Sequence, residues 1–137
     1  TEDFSPLIQS QIRDATELMK NNTGVKFNIA ADYGGRDEII RAAQKLAAKA
    51  ARGELDAENI TVETFESELD TAGQPPVDLL IRTSGDMRIS NFLLWQAAYA
   101  ELWFTNTTWP EFSQEEFIDA LIDFSKRDRR FGGVTNA

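Results

Sequence analysis

A chain of 137 residues, 42% hydrophobic and 27% charged, has the make-up of one ordinary globular domain and is long enough to bury a core. It has no cysteine and no histidine, which excludes a disulfide framework, a thiolate nucleophile, a Cys/His zinc site and an imidazole base. Its net charge of −9 argues against an electrostatically driven nucleic-acid binder, and no stretch approaches the roughly 20 apolar residues of a membrane span, so the expectation is a soluble chain without a signal peptide.

Ser5-Pro6 predicts a helix start, with a capping hydroxyl and proline at the first helical position. Leu7, Ile8, Ile12, Ala15, Leu18 and Met19 continue it at helical spacing, and Asn21-Asn22-Thr23-Gly24 ends it. Residues 25–31 alternate apolar at 25, 27 and 29 and predict a strand. Tyr33-Gly34-Gly35-Arg36 reads as a tight turn into a second helix, whose first turn carries Asp37 and Glu38, as its dipole prefers. That helix is expected to stop at Gly53. Residues 56–69 predict one or two short helices, and residues 71–76 a connector.

Residues 77–81 are mostly apolar, as a strand inside a parallel sheet is, and residues 91–100 read as a helix capped by Ser90 or Asn91. Residues 102–105 predict a further strand, and Ser113-Gln114-Glu115-Glu116 has the form of a capping box opening the last helix. The order α, β, α, α, β, α, β, α predicts an α/β fold with a mainly parallel sheet. Three short strands make a thin sheet, which fits the second half of a larger domain.

In such sheets ligands gather beyond the carboxyl ends of strands. Arg82 stands at such an end, Arg88 follows a small-residue loop, and Ser90 lies where the next helix is expected to begin. Two guanidinium forks, a hydroxyl and helix amides would suit a phosphate or diphosphate. Two readings stay open here: an anion site, or loop arginines facing solvent. The loop is neither a Walker loop nor a G-x-G-x-x-G turn.

Glu101 is expected at the C-terminal end of a helix among apolar residues, where its charge opposes the dipole and needs a partner. A hard cation such as Mg²⁺ is one candidate and an arginine is the other. Asp86 is a third polar candidate, although aspartate in a Ser-Gly-Asp loop is more often a turn residue. The aromatics at 92, 95, 99, 103, 104 and 109 read as core or interface.

The stretch VDLLIRTSGDMRISNFLLWQAAYAELWF, residues 77–104, resembles the C-terminal signature of the cis-prenyltransferase family. FNIAADYGGRDEI, WPEF and the terminal RRFGG are similar to the same family in the same order. The resemblance implies a parallel-sheet sandwich of the cis-prenyltransferase type. It also implies cis condensation of farnesyl diphosphate with successive isopentenyl diphosphates, with Mg²⁺ as cofactor. In bacteria the product carries cell-wall sugars. It implies that Arg82, Arg88 and Ser90 hold the diphosphate of isopentenyl diphosphate and that Glu101 helps bind Mg²⁺. It further implies a homodimer in which Arg130 and Gly132 complete the partner's site, and a tunnel lined by Val25 and Phe27. A cytoplasmic location at the inner face of the membrane, with peripheral contact through the lipid product, follows from the same resemblance.

Two features depart from the family pattern. Asp86-Met87 stands where the family has glutamate followed by a polar residue, and Met87 cannot donate a hydrogen bond there. The family's Met-Asp-Gly-Asn-Gly-Arg-Trp motif, which holds the allylic diphosphate and a metal ligand, does not occur in these 137 residues. The chain is therefore expected to be the C-terminal portion of a single domain and to lack synthase activity alone. The alternatives are a non-catalytic accessory subunit and a phosphate-binding α/β module.

Overall fold

The computed structural model describes residues 4–129. The chain divides into two compact units, Thr1–Tyr33 and Gly34–Ala137.

The first unit contains α1, Pro6–Met19, with Pro6 in its first turn. The Ser5 hydroxyl accepts from the Ile8 amide at 3.5 Å, as the Ser-Pro pair predicts. Within this unit α1 buries none of its residues, and Leu18 is 84% exposed. The strand expected over residues 25–31 does not form. That segment carries no ladder, and Val25, Phe27 and Ile29 are 94%, 77% and 78% exposed. Alternation prepares a segment for pairing, but a strand exists only when a neighbour takes up its N–H and C=O groups. Among the described residues, 25–31 has no such neighbour. The tunnel wall expected from Val25 and Phe27 is not built within this unit.

The second unit opens with α2, Gly35–Ala51. Its N-cap, Gly34, has no side chain to bond the first amides. Asn91 does so from 55 residues away in sequence: its carbonyl accepts from the Gly35 amide at 2.7 Å and its Oδ1 from the Arg36 amide at 2.9 Å. Gly53, at φ +71°, follows the C-terminal end as expected. A short 3₁₀ turn, Ala57–Asn59, and α3, Val62–Glu66, occupy the predicted helical region. Two strands follow, β1 (Leu79–Arg82) and β2 (Glu101–Phe104), paired in parallel with Leu79 opposite Glu101 and Arg82 opposite Phe104. The last element is α4, Gln114–Ser125, capped by the Ser113 hydroxyl.

Ala42, Leu46, Leu69, Leu80 and Ala120 form the buried apolar set, drawn from α2, α4, β1 and the segment after α3. Glu38, in the first turn of α2, is buried. Its carboxylate accepts from the Asp70 amide at 2.8 Å and from Gln96 Nε2 at 3.0 Å to both oxygens. Burial of a carboxylate is tolerated because these donors replace lost water contacts. Phe65 and Trp95 pack with ring centroids 4.4 Å apart, which ties α3 to the loop between the strands.

Several carboxylates sit below their ordinary range. Lys49 lowers Glu68, Arg52 lowers Glu54, and backbone amides at the starts of α3 and α4 lower Glu63 and Glu115. A carboxylate lowered in the folded state contributes stability above its unfolded pKa and loses it as pH falls through the folded value. Stability is therefore expected to be level near neutrality and to fall below about pH 4.3, the ordinary glutamate value. Urea melts from neutral to acidic pH test this; stability that rises on acidification would contradict it.

Candidate functional site

The carboxyl end of β1 feeds a loop that is bound to the segment after β2. The Thr105 amide donates to the Arg82 carbonyl at 3.0 Å, and the Ser84 and Gly85 amides donate to the Thr107 and Thr105 carbonyls at 2.8 Å each. Ser84 and Gly85 both have positive φ, +72° and +76°. Glycine takes this conformation freely, whereas serine does so at a cost of roughly 1–2 kcal/mol, so the two backbone bonds hold a strained turn.

This turn brings the predicted anion-binding residues together. Arg82 Nη1 donates to the Ser90 hydroxyl at 3.0 Å and to the Arg88 carbonyl at 2.8 Å. Arg82 Nη2 and Arg88 Nη2 both donate to Asp86 Oδ2, at 2.8 and 2.7 Å. The Arg82 side chain is 25% exposed and the Arg88 side chain 64%, so the first is set into the loop and the second faces solvent. Two cations against one carboxylate leave the cluster positive inside a chain of net charge −9. Of the two readings of Asp86, turn residue or third polar group, the structure gives the second: it bridges the arginines. Met87 is 80% exposed and makes no part of it.

The helix expected over residues 91–100 is absent; the segment is a run of turns. Ser90, Asn91 and Leu93 have φ of +44°, +66° and +45°, which no α-helix accommodates. The physical reason lies in α2. Asn91 bonds Gly35 and Arg36 and cannot also cap a helix of its own. The helix-dipole part of the anion-site expectation therefore falls, while Arg82, Arg88 and the Ser90 hydroxyl are side by side.

Glu101 opens β2 rather than ending a helix. Its carboxylate accepts from Arg127 Nη1 at 2.9 Å, so the arginine-partner reading describes this structure. Arg127 also bonds Asp123 on α4 and the Leu102 carbonyl. Glu101, and then Asp123, hold the Arg127 proton more tightly than in free arginine. The parallel register puts Glu101 at the amino end of the strand pair and Arg82 at its carboxyl end, about 10 Å apart at the usual rise per residue. The two parts of the expected site are thus not brought together here. Among the described residues no three acidic side chains converge on a common point. One carboxylate already paired with a guanidinium is not a complete set of hard-oxygen ligands, so these residues do not by themselves fit Mg²⁺. Arg130 and Gly132, expected to serve a partner's site, lie outside the described residues.

Sequence reasoning missed two contributions. Asn91 holds the start of α2, and no local signal announces so distant a cap. Glu116, read as half of a capping box, turns its carboxylate to the hydroxyls of Thr105 and Thr107. A separate cavity of about 750 Å³ is lined by Leu69, Pro75, Leu94, Trp95, Tyr99 and other residues, and includes none of the predicted diphosphate or metal residues.

Comparison with known proteins agrees with the motif reading. A family model described as putative undecaprenyl diphosphate synthase matches residues 1–132. The chain is 54% identical over 127 residues to an isoprenyl transferase of Prochlorococcus marinus, covering 93% of this chain and 48% of the relative. It is 51% identical over 131 residues to a farnesyl-diphosphate-specific ditrans,polycis-undecaprenyl-diphosphate synthase of Haemophilus influenzae, covering 96% and 55%. Among solved structures it is similar to lavandulyl diphosphate synthase from Lavandula x intermedia, determined in complex with dimethylallyl diphosphate. That match has TM-score 0.91 and 40% identity, over 96% of this chain and 56% of that one. A probable undecaprenyl diphosphate synthase from Campylobacter jejuni matches with TM-score 0.79 and 34% identity, over 96% and 59%. The chain spans about half the length of the curated relatives it matches.

Proposed function

Because the chain belongs to the undecaprenyl diphosphate synthase family, we propose that it supplies the isopentenyl diphosphate side of a cis-prenyl chain-elongating enzyme. One observation carries the reading: a single carboxylate oxygen, Asp86 Oδ2, already lies within hydrogen-bond reach of both Arg82 and Arg88. Oxygens of a diphosphate would be received by the same two forks, with the Ser90 hydroxyl beside them. The diphosphate carries more negative charge than Asp86, and so competes with it for the guanidinium groups.

In the whole enzyme, on this reading, farnesyl diphosphate is the allylic substrate and undecaprenyl diphosphate, a cell-wall lipid carrier, the product. The carbon–oxygen bond to the allylic diphosphate breaks and diphosphate leaves with the bonding pair. The isopentenyl double bond supplies the electrons of the new carbon–carbon bond, and a proton is then lost. Arg82, Arg88 and Ser90 act by position and charge: they hold one reactant so that its double bond meets the other in a fixed geometry. The metal role that the resemblance gives Glu101 would need oxygen ligands from outside the described residues, and no step is assigned to it. A homodimer with Arg130 and Gly132 in the partner's site, and action at the cytoplasmic face of the membrane, belong to the same proposal.

Calorimetric titration of the 137-residue chain with isopentenyl diphosphate tests the assignment. Saturable binding, stronger than that of ADP, is expected. Equal or stronger binding of ADP would replace this reading with a general phosphate-binding module. No turnover of farnesyl diphosphate by this chain alone is expected, and product formation would overturn the division of labour.

A further inference from the structure

Glu116 is the third residue of α4. In a capping box its side chain would return to the Ser113 amide. Instead, Oε1 accepts from the hydroxyls of both Thr105 and Thr107, the latter at 2.9 Å. The Thr105 hydroxyl also accepts from the Thr107 amide at 3.1 Å, which closes the turn over residues 105–107. The outer face of that turn presents the Thr105 and Thr107 carbonyls to the Gly85 and Ser84 amides. Gly85 lies so close to it that a Cβ there would come 3.0 Å from Asn106 Oδ1.

We propose that Glu116, acting through Thr105 and Thr107, is a positioning residue for the diphosphate-binding loop. The inference rests on the assignment of that loop to isopentenyl diphosphate. The reasoning is mechanical. Ser84 and Gly85 are both left-handed, and a serine there returns to a relaxed conformation unless something holds it. What holds it is the pair of bonds to the 105–107 turn. That turn is in turn shaped by one carboxylate on α4 that gathers both hydroxyls. Loss of the carboxylate frees the hydroxyls, loosens the turn and releases the strained residues between Arg82 and Asp86. The two arginines would then reach their common oxygen for only part of the time. Glu116 touches no substrate in this scheme; it sets how often the loop is ready.

The test uses the 137-residue chain, isopentenyl diphosphate as probe, and amide hydrogen exchange at Ser84 and Gly85. Glu116→Ala is expected to raise Kd about tenfold, as a loop arranged for binding about a tenth of the time would. It is also expected to speed exchange at Ser84 and Gly85 while leaving the middle of α2 unchanged. Glu116→Gln keeps an acceptor oxygen and is expected to bring Kd back to within about twofold of the original, a rescue that a loss of helix stability alone would not show. Thr107→Val removes one of the two donors at nearly constant volume. It is expected to act in the same direction by about threefold, and it decides the matter if Glu116→Ala does not fold. Unchanged affinity in Glu116→Ala, or weakened binding with unchanged exchange at both amides, overturns the proposal. Arg82→Ala, measured in parallel, separates the two levels. If Arg82→Ala weakens binding and Glu116→Ala does not, the positioning role alone fails. If Arg82→Ala leaves binding unchanged, the assignment of the diphosphate to this loop fails.

Discussion

Arg82→Ala is expected to weaken isopentenyl diphosphate binding about 100-fold, against about tenfold for Arg88→Ala. The difference comes from burial and partners. Arg82 is 25% exposed at its side chain and bonds Asp86, the Arg88 carbonyl and the Ser90 hydroxyl, so its fork is already oriented before any ligand arrives. Charge-assisted hydrogen bonds from such a group contribute about 1.5–3 kcal/mol each. The Arg88 side chain is 64% exposed and is anchored through Asp86, so water screens it and its ordering on binding offsets part of the gain. Removing Arg82 also leaves the Ser90 hydroxyl and Asp86 without the donor that joins them. Arg82→Lys is not expected to rescue binding, because one ammonium cannot span Asp86 on one side and Ser90 on the other. Calorimetric titration of the three variants decides it. A larger loss in Arg88→Ala than in Arg82→Ala would show that the order of importance is wrong.

The second large effect is expected at Gly35, from backbone crowding. Gly35 is buried, and its amide donates to the Asn91 carbonyl at 2.7 Å. A Cβ there would stand 2.9 Å from Leu94 Cγ, 3.1 Å from the Asn91 carbonyl oxygen and 3.2 Å from the Leu94 amide nitrogen. Two of those three atoms are backbone and cannot rotate away, so α2 and the 91–94 turn must separate. Gly35→Ala is expected to destabilise the chain by about 1–3 kcal/mol, the range for overpacking a tight site. It would also displace the residues directly after Ser90, so isopentenyl diphosphate affinity should fall together with stability. At Gly34 a Cβ would meet only side-chain ends, Asp37 Oδ2 at 2.7 Å and Asn91 Nδ2 at 2.9 Å, which can move. Gly34→Ala should therefore cost less. A methyl group added at Gly24 would meet nothing within 4 Å, and Gly24→Ala should be neutral. Urea melts of the three variants give the ranking; equal stability of Gly35→Ala and Gly24→Ala would refute it.

Features governed by near neighbours in sequence were legible without the fold. Ser5-Pro6, Gly53 and Ser113 punctuate helices through bonds that reach only three or four residues. The runs expected as strands at 77–81 and 102–105 paired, over 79–82 and 101–104, because each found the other. The likeness to the cis-prenyltransferases was legible for a different reason, the length and order of the motifs. Residues 25–31 and 91–100 carry equally good local patterns, and neither became the expected element.

The sequence by itself determined the starts of α1 and α4, the stop of α2, the α/β class, the family, and the nearness of Arg82, Arg88 and Ser90 along the chain. Only the tertiary structure decided what those residues meet. It put Asp86 between the arginines, gave Asn91 to the start of α2 instead of a helix of its own, and turned Glu116 toward Thr105 and Thr107. It also paired Glu101 with Arg127 at the end of the strands opposite Arg82. The physical reason is the same in each case. A side chain or a strand edge has a fixed number of hydrogen bonds to make, and which partner takes them depends on the approach of segments tens of residues apart, which no local pattern records.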